Sequence, residues 1–289
     1  MKKKVICRSC RSKKKQNIFG KYVYGGDKNQ HFYKCYDCKI IYLYPVKSKK
    51  NEKLFYKNDF EEFMDERSNN EIKWDNPYKH SISNRHEFLR RKKFLDYKNL
   101  KNKTILEIGS SSGFMLRPFK NKNKLFGIEP SEEFRNYTNE IGIKTYKSLN
   151  EAIKYKKNSI DLIIHYYVLE HIDDPIKFLK ESMKLLKKNG KMIFEVPNVN
   201  DPLITFLKTK KFDKFYWSVV HHWYFNKKSL KYLLNLLKFK FEIIPEQRYD
   251  LSNHIVWLNE GKPGGYGLYD KVFSKKLNNY YKKDLKQNW

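Results

Sequence analysis

Residues 103–113 read Lys103-Thr104-Ile105-Leu106-Glu107-Ile108-Gly109-Ser110-Ser111-Ser112-Gly113. A short apolar run enters a turn bounded by glycines, and a helix-like stretch follows. That order is a strand delivering a tight turn into a helix. The pattern continues downstream. Lys124–Glu129 reads as a second strand, and Ser131–Ile141 as a helix with Ser131 as its N-cap. Ile143–Tyr146 and Ile160–Tyr167 read as further strands. Pro175–Lys188 reads as an amphipathic helix stopped by Gly190, and Lys191–Val196 as a fifth strand. Lys227–Leu237 reads as a helix, and Lys240–Glu246 with His254–Leu258 as a closing hairpin. Gly261–Gly267 is loop-like, either covering a pocket or linking to a helix over Ser274–Leu285. Strands alternating with helices specify an α/β fold: a parallel sheet covered on both faces.

In such a sheet, ligands bind beyond the carboxyl ends of the strands. Gly109 and Gly113 let backbone approach a bound molecule there. Glu129 closes the second strand, 20 residues after Gly109. An acid at that place can accept hydrogen bonds from both hydroxyls of an adenosine ribose.

All four cysteines lie in the first 38 residues, as Cys7-Arg-Ser-Cys10 and Cys35-Tyr-Asp-Cys38. Two CxxC pairs 24 residues apart have the spacing of a zinc ribbon with Cys7, Cys10, Cys35 and Cys38 as ligands to a structural Zn2+. Two disulfides and a redox CxxC are the alternatives. A metal would supply stability that so small a module lacks. His31 reads as a surface residue. Residues 1–45 form this module, ending after the strand Ile40–Tyr44. Residues 46–100 read as a charged connector, with helices at Lys49–Lys57 and Ser83–Lys98; Tyr56 and Tyr78 could reach the donor site from it, but read mainly as surface or packing residues.

The 289 residues carry 61 Lys and Arg against 32 Asp and Glu, a net charge of +29. Nucleic acid or another anionic partner would fit that charge. Only nine of the basic residues are Arg, the preferred reader of bases and phosphates, and the lysines run along the whole chain. The excess therefore reads mainly as coding bias of an AT-rich genome. At 40% hydrophobic residues the chain can build a core, which excludes wholesale disorder. No run approaches the roughly 18–20 apolar residues of a membrane span, and no apolar segment follows the basic N-terminus. A cytoplasmic protein with no membrane insertion is expected.

Four segments carry a family resemblance: Glu107–Gly113, Gly127–Ser131, Tyr167-Val-Leu-Glu-His-Ile-Asp-Asp-Pro175 and Phe194-Glu-Val-Pro-Asn198. Together they resemble the motifs of class I S-adenosylmethionine (SAM)-dependent methyltransferases, and His222-Trp-Tyr-Phe225 resembles the segment before their late helix. The N-terminal cysteine module resembles the zinc module fused to such enzymes in nucleotide-sugar and surface-polysaccharide pathways. The resemblance implies a Rossmann-like SAM-binding domain over 101–260, with 261–289 as a C-terminal extension. It implies that Glu107 and the backbone of Gly109, Ser111 and Gly113 hold the methionine tail, and Glu129 the ribose. Leu149, beside Ser148, would border adenine, and His165 and Tyr166 would line the pocket floor. Ser111 replaces the family's middle glycine, so the turn is expected to avoid a strained dihedral there. Pro118 should leave the following helix short or kinked.

For a hydroxyl acceptor, His171 and His222 are the candidate bases, His221 a weaker one. Each histidine also has a plain structural reading. Glu170 reads as an anchor of its turn, and Asp173 or Asp174 as a helix cap. The acceptor implied is a small polar metabolite, a sugar or nucleotide sugar. RNA, held by the zinc module and the lysine-rich surface, is the alternative.

Overall fold

The computed structural model describes residues 5–68, 74–96 and 99–287. The last two residues of the helix expected over Ser83–Lys98 lie outside them. Backbone packing divides the chain into two compact units, residues 1–48 with 197–289, and residues 49–196.

The first unit begins with three strands, β1 (Asn17–Gly20), β2 (His31–Lys34) and β3 (Ile41–Tyr44). The second opens with the connector helices α1 (Lys49–Asn58), α2 (Phe60–Arg67), α3 (Pro77–Ser83) and α4 (Arg85–Arg91). Then come β4 (Thr104–Ile108), β5 (Lys124–Ile128), α5 (Glu132–Glu140), β6 (Lys144–Tyr146) and α6 (Leu149–Lys156). β7 (Ile160–Tyr166), α7 (Pro175–Met183) and β8 (Leu186–Glu195) complete it.

These five strands form a parallel sheet in the order β6-β5-β4-β7-β8. β4 lies in the middle, so the turn after it opens where the strand order reverses. In register, Glu107 lies beside Gly127 on one side and Ile164 on the other. Successive strand residues face opposite sides. Ile105, Leu125, Leu162 and Ile164 therefore share a face, on which Met115, Phe119 and Leu95 close a core. α7 covers the other face, where Phe178 meets His165. Pro118 sits in a short 3-10 turn, Arg117–Lys122, as expected of a proline there.

Two boundaries differ from expectation. The helix that starts at Pro175 stops at Met183, because Leu186 joins the sheet opposite Ile160. Gly190 is not a helix stop. It lies inside β8, where a Cβ would sit 2.9 Å from the Ile160 carbonyl.

The first unit resumes with α8 (Pro202–Thr205), α9 (Lys210–Tyr216), β9 (Trp223–Tyr224), α10 (Lys227–Asn235), α11 (Leu251–Asn259) and α12 (Lys275–Gln287). β9 pairs antiparallel with β3, making a four-stranded sheet β1-β2-β3-β9. Trp217, Phe32 and Tyr224 pack together beside it. The closing hairpin does not form. Among the described residues, 240–246 pair with no strand, and 254–258 lie in α11. Asp250 caps that helix through the Asn253 N–H, and Trp257 packs on Phe212 and Phe215, contacts that a helix provides. The glycine stretch is tied to the same helix, since Gly264 O accepts from Asn253 Nδ2 and Gly267 N–H donates to Asp250. Among the described residues no helix is long and apolar enough to cross a membrane.

Candidate functional site

The turn after β4 concentrates unusual backbone. Gly109, Ser111 and Gly113 have φ of +70°, +40° and +68°. Ser111 does not avoid the left-handed region as expected. It enters it, and its N–H donates to Glu129 Oε2 at 2.8 Å. That bond to a carboxylate offsets a conformation that costs a non-glycine residue on the order of 1 kcal/mol. Gly109 and Ser110 N–H groups both donate to Ile128 O. Glu129 Oε1 accepts from Ser131 N–H at 2.9 Å. One carboxylate thus joins the turn after β4 to the turn after β5, and Gly109 and Glu129 are brought together as expected. Burial pushes the Glu129 carboxyl up, against the pull of its two backbone donors.

On the face that carries Glu107, strand alternation also places Tyr166 and Glu195. Arg91 stacks over the Tyr166 ring at 4.2 Å and donates to Glu195 Oε2 at 2.8 Å. Arg90 donates to the same oxygen and to Glu87 Oε2. Burial pushes Glu195 up, but Arg91 and Arg90 outweigh it and hold the carboxyl below its ordinary range. Glu107 is raised well above the usual carboxyl range by burial, only partly opposed by Arg91. Glu107 Oε2, Ser110 Oγ and Tyr166 Oη are buried and make no hydrogen bond among the described residues. Buried polar atoms are nearly always paired, with protein, ordered water or a ligand.

His165 also has both ring nitrogens buried without a hydrogen-bond partner among the described residues, but it lies on the other face. As the strand neighbour of Tyr166 it points the other way, fully buried, stacked 4.8 Å from Phe194 and edge-on to Phe178. Burial lowers its ring to about 3, so it is a neutral core histidine and not part of a pocket floor. Leu149 is half-buried at the start of α6, whose cap is Ser148.

His171 ends a 3-10 turn after β7, and its Nδ1 lies 3.0 Å from Tyr56 Oη on α1. Glu170 lies within that turn. It is fully buried, neither carboxylate oxygen has a hydrogen-bond partner of ordinary geometry among the described residues, and burial raises it to about 8. Asp174 caps α7 through the Lys177 N–H.

In the first unit the four cysteines converge. Cys7 and Cys38 sulfurs lie 3.7 Å apart, Cys10 and Cys35 sulfurs 3.6 Å, and all four within 4.8 Å of one another. Tetrahedral thiolates about 2.3 Å from one zinc stand about 3.8 Å apart, against about 2.05 Å in a disulfide. His31 is turned away, with Nδ1 donating to Lys21 O. His222 belongs to this unit, where its Nδ1 lies 3.0 Å from Arg8 Nη2. A guanidinium only donates, so Nδ1 accepts and the ring proton sits on Nε2. Arg8 also donates to Leu43 O and stacks over Trp223. His222 therefore braces the cysteine module against β9, with its Nδ1 engaged by Arg8.

The model of one family, described as a methyltransferase domain, matches residues 80–243. The chain belongs to the methyltransferase-domain family. A ubiquinone biosynthesis O-methyltransferase of Pelagibacter ubique is 34% identical over 108 residues, 35% of this chain and 45% of that protein. An uncharacterised protein of Methanocaldococcus jannaschii is 31% identical over 91 residues, 32% of this chain and 43% of its own length. The chain thus spans less than half of these curated relatives. Among solved structures, a SAM-dependent methyltransferase of Thermotoga maritima, titled a possible histamine N-methyltransferase, is 24% identical with a TM-score of 0.45. It covers 63% of this chain and 80% of its own.

Within the methyltransferase domain, the structure brings Glu107, Gly109, Ser111, Gly113, Glu129 and Tyr166 to one end of the sheet. Sequence reasoning missed Arg90, Arg91 and Glu87. Their i, i+3, i+4 spacing was the available signal, but their partner Glu195 is 104 residues from Arg91.

Proposed function

We propose that the chain transfers a methyl group from SAM to a hydroxyl of a small polar acceptor, a sugar or nucleotide sugar, with the four cysteines holding one structural Zn2+. The observation that carries the donor assignment is the set of unpaired buried atoms beside the glycine turn. Glu107 Oε2 and Ser110 Oγ sit next to a carboxylate bridge at Glu129. An amino-acid tail would satisfy the first two, and each Glu129 oxygen keeps a lone pair for a ribose hydroxyl. SAM, when bound, supplies an electrophilic methyl on a sulfonium.

This chain's residues would then bind and orient. The turn approaches the donor with backbone, and Arg91 fixes Tyr166 and Glu195 on the same face. His171, held at Nδ1 by Tyr56, is the group that takes the acceptor proton on Nε2 when Nδ1 carries its hydrogen toward the tyrosine oxygen. A hydroxyl acceptor is favoured because a matching relative is described as an O-methyltransferase. The sugar class rests on the pairing of a cysteine module with a methyltransferase domain in one chain. The thiol geometry supports zinc, because four soft ligands at tetrahedral spacing suit an ion without redox chemistry.

Incubation with SAM and a panel of nucleotide sugars, read by mass spectrometry, should give one product heavier by a single CH2 unit. No gain in any sugar, with methylation of RNA instead, would replace the acceptor class.

A further inference from the structure

We propose that His80 is a positioning residue for the donor turn, through which the connector helices set affinity for SAM. Three of the five residues from Gly109 to Gly113 are left-handed. A turn carrying such strain persists only where its surroundings over-determine it. The sheet side supplies Ile128 O and Glu129. The connector side supplies His80, whose Nδ1 lies 2.8 Å from the hydroxyl of fully buried Ser112.

His80 is itself built in. It lies in α3, and its carbonyl accepts from Asn84 Nδ2. Its ring is enclosed edge-on by Trp74 at 4.5 Å and Phe134 at 5.3 Å, with Phe114 at 5.9 Å. Phe114 directly follows the turn, so the same cage grips the turn's exit. Burial lowers the His80 ring to about 4, which keeps it neutral, and a neutral ring can hold Ser112 without setting a positive charge beside the bound sulfonium. At the neighbouring turn the connector repeats the device. Ser131, whose N–H meets Glu129, donates its hydroxyl to Glu61 Oε1 on α2 at 3.1 Å. Both turns joined by Glu129 are thus also tied to connector helices.

The inference rests on the reading that the turn binds SAM, and the two can fail separately. The probe is S-adenosylhomocysteine titrated calorimetrically into the full-length protein, its Ser112→Ala and His80→Phe variants and the double variant. His80→Phe keeps the aromatic cage and removes Nδ1. His80→Asn offers a polar atom near the Nδ1 position. Losing one buried hydrogen bond should weaken binding about five- to tenfold in each of the first two. The double variant should be no worse than the weaker single, and His80→Asn should recover part of the loss. Folding is checked by thermal melting, and a His80→Phe that fails to fold leaves Ser112→Ala as the test. Wild-type affinity in Ser112→Ala, or losses that simply multiply in the double variant, would overturn the role of His80. A wild-type protein that does not bind the probe would overturn the donor reading, and this inference with it.

Discussion

Gly109→Ala tests the turn at its tightest point. Two separate costs meet there. The backbone sits at φ +70°, where an L-residue pays about 1–2 kcal/mol. A Cβ would also stand 2.7 Å from Val168 Cγ2, inside any real contact distance. Valine is stiff at χ1, so relief requires backbone movement, and overpacking of this kind costs about 1–3 kcal/mol. The expected loss is about 2–5 kcal/mol of unfolding free energy, measured by urea denaturation. The two costs can be divided. Val168→Ala removes Cγ2, so in that background Gly109→Ala should cost only the backbone share, about 1–2 kcal/mol. Effects that add to within about 0.5 kcal/mol would show that the two side chains do not meet. A Gly109→Ala loss below about 1 kcal/mol would refute the left-handed turn itself.

Glu195→Gln leaves Arg90 and Arg91 buried beside a neutral amide, and should destabilise by about 3 kcal/mol in the same denaturation assay. Because Glu195 is held below its ordinary range, its contribution is present above the unfolded carboxyl pKa and fades as pH falls through the folded value, so the variant should lose less than wild type on acidification. Glu170 runs the other way. With its carboxyl raised to about 8, the folded protein holds a proton that the unfolded chain releases above about pH 4.5, so stability should fall as pH rises toward 8. Glu170→Gln should flatten that slope and leave the variant more stable than wild type at pH 8. Metal analysis of reduced protein should find about one zinc per chain, and Cys38→Ser should reduce it strongly; zinc-free wild type that melts unchanged would refute the tetrahedral reading.

β4, β5 and β7 could be read from the chain because each is a short, mostly apolar run ended by turn residues, and β4 with its glycines announces the switch point. Three features resisted for physical reasons. Residues 254–258 are apolar enough for a strand, yet Asp250 and the packing of Trp257 make them helix, which depends on Phe212 and Phe215 some forty residues earlier. Leu185 and Leu186 continue the helical spacing of α7, but pairing with Ile160 captures Leu186 for β8. His165 and Tyr166 looked equally placed at a strand end, and only the sheet's register separates the face covered by α7 from the face that carries Glu107. The cysteine cluster was visible because its four thiols fall in two CxxC pairs. That Trp223 and Tyr224 complete the module's sheet was not, because β3 and β9 are joined by backbone pairing across most of the chain.

Calorimetric titration of SAM into the wild-type protein and Glu129→Ala goes to the root of the account. Equimolar binding by the wild type, lost or weakened at least tenfold in a Glu129→Ala protein that still melts cooperatively, is the predicted result. Equal affinity in both proteins, or no heat of binding in either, would contradict it.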